Sequence, residues 1–175
     1  MAELCGEGFD VLKVDKRDYV PASFEDEVRV DKLCSDLLHR FYCESLLAGL
    51  TPEDATALAS GADYFVRDFV VSIKNRSIFD ERPGLVRQFA GNWYIANTME
   101  PIASEIERYL AGIKAFYRFL HGHQLISLKF LQSIESECSE LDFYAGRIES
   151  FWDITGDGYH AWEKECTLKD DPNKR

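Results

Sequence analysis

The chain of 175 residues has no apolar run approaching eighteen residues, no CxxC pair and only five prolines, and each shortage closes off a class of protein. No membrane span is expected without such a run, and the first thirty residues hold acids and bases where a secretory leader needs an apolar stretch. The five cysteines, Cys5, Cys34, Cys43, Cys138 and Cys166, are odd in number and widely spread. Reduced thiols on buried helical faces, and with them a cytoplasmic protein, are the expectation. Scarce proline beside 46% hydrophobic and 13% aromatic residues excludes a disordered chain. A chain of this size can bury roughly 70 per cent of its unfolded surface, so one domain is expected.

Chemical motifs are equally sparse. There is no phosphate-cradling glycine loop, no GxSxG turn, no ExxH pair of the kind a di-iron bundle uses, and no nucleophile beside a base. No catalytic residue and no cofactor are therefore assigned. The net charge of −11 argues against a protein that simply coats nucleic acid or anionic lipid. Residues 67 to 118 nevertheless hold eight bases against six acids, which makes the middle of the chain the place for any anionic ligand.

What the sequence does contain is helical periodicity. Ile102, Ile106, Tyr109, Ile113, Phe116 and Leu120, then Leu131, Ile134, Cys138, Leu141, Ala145 and Ile148, step by threes and fours. That spacing puts one apolar stripe on each of two helices, and His121 to Ser127 suffice for an antiparallel turn between them. Upstream, Ser23 with Asp26 opens a helix carrying Val30, Leu33, Leu37, Phe41 and Leu46, which ends at Gly49. Thr51-Pro52-Glu53-Asp54 starts a second with Ala55, Leu58, Ala62, Phe65, Phe69 and Ile73. After a loop at Arg76 to Gly84, a third runs from Leu85 to Ile95. Asn97 or Thr98 caps the fourth with Pro101 in its first turn, and Ser127 caps a fifth that runs to about Phe151. The expected fold is an all-α, single-domain bundle of about five helices with a central antiparallel hairpin at 99–151. Residues 1–22 form a polar lead-in with a short strand at Phe9 to Val14, 23–151 the helical core, and 152–175 a turn and charged tail that could pair with the lead-in.

The stretch from Ile106 to Ser127 resembles the last long helix and exit of the N-terminal core-binding (SAM-like) domain of tyrosine recombinases. The positions that carry the resemblance are Tyr109, Leu110, Ile113, Phe116, Phe119, Leu120, Leu125 and Ile126. Tyr64 to Ile73 and Leu85 to Tyr94 stand where that family has earlier helices, so the resemblance covers at most residues 62–135. Leu128-Lys129 replaces the usual Asn-Pro after the exit, and neither a catalytic domain nor an HxxR motif is present, so recombinase chemistry is not implied. The resemblance does imply DNA contacts by bases on these helices: Arg67, Lys74, Arg76, Arg82, Arg87, Lys114 and Arg118.

Asp153, Thr155 and Asp157 before Gly158 have the spacing that opens a calcium loop, but His160 and Lys164 occupy places that need an apolar residue and a bidentate glutamate. A glycine-rich turn stopping a helix accounts for the same residues. His39 and Cys43 have metal-ligand spacing with only two local ligands, and His121 and His123 flank a helix end where an imidazolium is favoured without further purpose. Trp93, Tyr94, Phe143, Tyr144 and Trp152 exceed what one bundle seam needs. The leading expectation is therefore a non-catalytic module that binds a protein partner or itself through an aromatic face. A nucleic-acid-binding helical domain is the alternative, disfavoured by net charge, and a metal-binding protein or enzyme a distant third.

Overall fold

The computed structural model of the chain describes residues 12–169, and its first helix starts are made by the expected side chains. The Ser23 hydroxyl accepts the Asp26 amide at 3.1 Å and opens α1, Phe24–Leu47. Thr51 does the same for Asp54 at 3.1 Å and opens α2, Pro52–Asp63. Each hydroxyl satisfies an amide that a first turn leaves without a carbonyl. Gly49 takes φ +94°, a geometry that a side chain would strain, and turns the chain back. Arg67 then meets Asp31 at 2.7 Å, which sets α1 against the following rod in antiparallel register.

That rod does not end at Asp63. It widens into a π-helix, Tyr64–Ile73. The next rod repeats the device: α3, Leu85–Gln88, passes through a π segment, Phe89–Trp93, into α4, Tyr94–Asn97. There follow α5, Ala103–Gly122, α6, Leu128–Cys138, α7, Leu141–Trp152, and α8, Tyr159–Glu165. Single 3₁₀ turns lie at Lys16–Tyr19 and Gly156–Gly158. With each continuous rod counted once, the described residues form seven helices and no strand. The class is all-α as the periodicity predicts, with two more helices than it suggests.

The extra helices have identifiable causes. The stripe read as one helix over 127–151 is broken at Ser139 and Glu140, where Glu140 leaves helical geometry at ψ 44°. Two residues barely disturb the apolar phase, so spacing alone runs through the break. Beyond it the buried residues are Tyr144, Arg147 and Ile148 rather than Leu141 and Ala145. The segment expected to be only a turn and tail contains α8, anchored by the buried Trp162. The fourth expected helix begins at Ala103 instead of Asn97 or Thr98. Pro101 disfavours helical geometry in the residue before it, and the Asn97 side chain closes α4 by donating from Nδ2 to the Trp93 carbonyl at 2.8 Å. The strand at Phe9 to Val14 falls partly outside the described residues, and Leu12–Val14 are irregular.

The centre of the bundle is also different. α5 packs most extensively on α2, and less on α6 and α7. Two glycines make that crossing close. A Cβ on Gly112 would stand 2.5 Å from the Leu58 carbonyl oxygen and 2.8 Å from the Ala62 nitrogen, and one on Gly61 would stand 3.0 Å from the Arg108 carbonyl oxygen. Beside the crossing lies a cluster of Tyr64, Phe65, Phe69, Phe89, Trp93, Tyr94 and Tyr109, with ring centroids 5.1–6.4 Å apart. Both π segments feed it. A π turn holds more residues than an α turn and so shifts the helical phase of the residues after it. Val66, Val70 and Val71 become buried, while Ile73, on the α-helical stripe by spacing, is 52% exposed.

Gly112→Val is expected to destabilise the fold by about 3 kcal/mol, because the atoms it meets are backbone and cannot rotate away. The corresponding drop in melting temperature is roughly 10 °C for a domain of this size. Ile113→Asp, one residue on and fully buried, should prevent folding by placing an unpaired carboxylate in the core. Circular dichroism melts check both, and parent-like melting of Gly112→Val would mean that the two helices are free to separate.

Candidate binding cleft and exposed apolar face

The chain after α7 is held by one buried guanidinium. Arg147 donates from Nε to the Gly91 carbonyl at 2.9 Å, from Nη2 to the Trp162 carbonyl at 2.7 Å and from Nη1 to Glu165 at 2.8 Å. It also lies 3.9 Å over the Trp162 ring, whose indole nitrogen donates back to the Arg147 carbonyl at 3.1 Å. Gly91 and Asn92, in the second π segment, receive the end of this hook. A Cβ on Gly91 would stand 2.8 Å from Cys166 Sγ, and the Asn92 amide donates to the Cys166 carbonyl at 2.7 Å. Lys74 closes it by donating to the Leu168 carbonyl at 2.6 Å.

Opposite the hook stands the start of α3, pinned by Glu137 from α6. This buried carboxylate accepts the Gly84 amide at 2.6 Å and the Arg87 amide at 3.1 Å. Burial raises its pKa, and the amides of Gly84, Arg87 and Val86 oppose that rise. Between α3 and the hook is a cavity of about 240 Å³, whose wall includes Arg76, Arg82, Arg87, Glu165, Cys166 and Lys169. Burial pushes the Cys166 thiol up from its ordinary pKa, against the pull of a hydrogen bond with Arg87.

Three of the seven bases singled out in the sequence thus share one cavity, and the other four lie outside it. Arg76 and Arg82 lie 3.0 and 3.4 Å from the same oxygen of Asp80. Arg87 lies 3.4 Å from Glu140 and 4.2 Å over the Phe143 ring. Arg67 bridges Asp31 at 2.7 Å and Asp63 at 3.0 Å, and those carboxylates raise its pKa. Arg118 pairs with Glu135, Lys74 is on the hook, and Lys114 is half-buried on α5.

The expected aromatic face is not a surface. Trp93, Tyr94 and Tyr144 are buried, because the π turns and the restart of α7 point them inward. The Tyr94 hydroxyl donates to Glu105 at 2.6 Å and the Tyr144 hydroxyl to the Glu137 carbonyl at 2.8 Å. Phe143 is half-buried beneath Arg87, and only Trp152, at 57%, is exposed. The exposed apolar side chains lie instead at the start of α1, where Phe24 is 79% and Val28 58% exposed, with Val20 also open just ahead of the helix. The register set by Arg67 and Asp31 brings Ile73 to the same end. Phe24 and Val28 fall off the buried stripe that starts at Val30, and an apolar pair off-stripe in a capped first turn was the available signal.

The metal candidates do not assemble. Asp153, Thr155 and Asp157 are exposed around the 3₁₀ turn, and among the described residues no three His, Cys, Asp or Glu side chains gather as a cation site. Cys43 is disulfide-bonded, which corrects the expectation of reduced thiols throughout and leaves His39, 4.0 Å from its sulfur, without a thiolate partner there. Cys34, Cys138 and Cys166 are free, and burial pushes the first two up to about 12. A disulfide suits an oxidising compartment, so the cysteines no longer argue for a cytoplasmic setting. No described helix is long and apolar enough to cross a membrane. His123 meets Glu44 at 2.8 Å and ties the end of α5 to α1.

Compared with known proteins, the chain matches no family model, no curated protein and no solved structure. The surfaces are therefore read from their geometry alone.

Arg147→Ala is expected to cost about 2–4 kcal/mol, since it removes the buried charged donor that bonds the Gly91 and Trp162 carbonyls and uncovers the indole ring. Tryptophan emission should move to the red as Trp162 becomes hydrated. Unchanged emission together with an unchanged melt would show that the hook is held by something other than this guanidinium.

Proposed function

We propose that the protein is a non-catalytic helical interaction module that docks a basic, amphipathic segment of a partner protein at the start of α1. The observation that carries this reading is the exposed pair Phe24 and Val28, one helical turn apart, with Val20 before them and Ile73 at the same end. Single exposed apolar residues are ordinary, whereas a group of them rimmed by polar residues marks an interaction surface. The rim here is acidic. Glu25 and Glu27 stand beside the pair against Lys32, Asp26 and Asp31 are paired with Arg29 and Arg67, and the whole chain carries −11. Charge of that sign attracts a basic partner and speeds its encounter.

The nucleic-acid reading, with its resemblance to recombinase core-binding domains, draws support only from the basic wall formed by Arg76, Arg82 and Arg87. It is weakened by the carboxylates that face five of the seven bases: Asp31 and Asp63, Asp80 for two arginines, Glu140 and Glu135.

A synthetic leucine–lysine amphipathic peptide is a direct probe. It should bind with an affinity that falls as salt is raised, while the leucine–glutamate peptide of the same length should not bind. Phe24→Glu with Val28→Glu should weaken binding at least tenfold and leave the melting temperature within a few degrees, because both positions are exposed. Equal binding of both peptides, or undiminished binding by the double variant, would reject the surface. Loss of self-association in that variant by analytical ultracentrifugation would assign it to a second copy of the chain instead.

A further inference from the structure

Beyond the docking face, the half-open cavity between α3 and the C-terminal hook combines a concave volume with an excess of cationic donors among the described residues. We infer that it binds a compact dianionic oxyanion, either free phosphate or the phosphate of a small phosphomonoester. Among the described residues its wall brings together Arg76, Arg82, Arg87 and Lys169 with one carboxylate, Glu165. That carboxylate is already held at 2.8 Å by the buried Arg147.

The acids behind the wall engage Arg82 and Arg87 loosely. One oxygen of Asp80 serves both Arg76 and Arg82, the latter at 3.4 Å. Glu140 lies 3.4 Å from Arg87 without a hydrogen bond to it. Arg82 meets Asp80, and Arg87 meets Glu140 and the Cys166 thiol; each guanidinium has five N–H donors, so both keep donors for a ligand. The Lys169 side chain has no acidic partner among the described residues. Guanidinium forks match phosphate oxygens in pairs, and an ammonium adds charge without fixing direction.

The framework is preorganised, because its two sides are tied down independently of any ligand. Arg87 is set by its stack on Phe143 at 4.2 Å and by the bond from its backbone amide to Glu137. The hook is set by Arg147 and Asn92. Holding donors in place before binding lowers the ordering cost of the complex. The volume of about 240 Å³ is below the roughly 300–1,000 Å³ of sites for drug-sized ligands. It accommodates a phosphate with a small substituent.

The test titrates the full chain with inorganic phosphate and, separately, with glycerol phosphate, against sodium chloride at matched ionic strength. Nitrogen–proton correlation spectra and thermal melts give the readouts. Saturable shifts confined to residues 82–88 and 165–169 are expected, with a rise in melting temperature that chloride does not reproduce. Arg82→Ala combined with Lys169→Ala should weaken the affinity at least tenfold and leave the unliganded melt within a few degrees. Tighter binding of glycerol phosphate assigns the site to phosphomonoesters and tighter binding of phosphate to the free ion; either outcome supports it. The inference is overturned if no shifts appear, if chloride reproduces them, or if the double variant binds as the parent does. It is also overturned if a DNA duplex binds more tightly than both and perturbs Arg67 and Arg118 as well. None of these outcomes bears on Phe24 and Val28, so the cavity and the docking face stand or fall separately.

Discussion

Everything in this fold is arranged around the distance at which α2 and α5 cross. Gly61 and Gly112 let the two backbones touch, with room for no Cβ at Gly112. Backbone contact of this kind leaves little space between the axes for side chains, so the large residues are displaced to the flank. There the two π segments supply Tyr64, Phe65, Phe69, Phe89 and Trp93 to a single aromatic cluster. The close crossing and the aromatic flank are one packing solution. Small residues at the contact require bulky ones beside it if the interior is to reach normal density.

A second constraint builds the periphery. The polar groups that join the hook and the start of α3 to the bundle are buried: Arg147, Asn92 and Glu137. Buried polar groups are tolerable only when satisfied, and Arg147 and Glu137 meet that demand through backbone carbonyls and amides far away in sequence. Asn92 satisfies its amide nitrogen, while its side-chain oxygen has no partner among the described residues. The cavity exists because these two anchors hold its sides apart, so its shape is set by the same interactions that secure the C-terminal helix.

Charge is distributed unevenly over this framework. The bases from the middle of the chain do not form one field. Five are matched by carboxylates, and three of those five still collect around the cavity with Lys169. Acids dominate the start of α1, where the exposed apolar residues lie. The proposed docking face and the proposed anion site thus differ in character.

The sequence by itself determined the helical class, the caps at Ser23, Thr51 and Ser127, and the left-handed turn at Gly49. Each of these is a local matter of hydroxyls, periodicity and backbone freedom within a few residues. It also marked the central segment as the basic one, since charge is a sum over composition. The break at Ser139–Glu140, the two π segments and the docking of α8 were decided by tertiary structure. A two-residue break hides within an unbroken apolar phase, and a π turn is stabilised by the rings it brings to the core rather than by its own residue types. The same reasoning applies to the sites. Trp93, Tyr94 and Tyr144 look available in a linear reading and are buried by packing, whereas Arg147 looks like any surface arginine until the carbonyls of Gly91 and Trp162 converge on it.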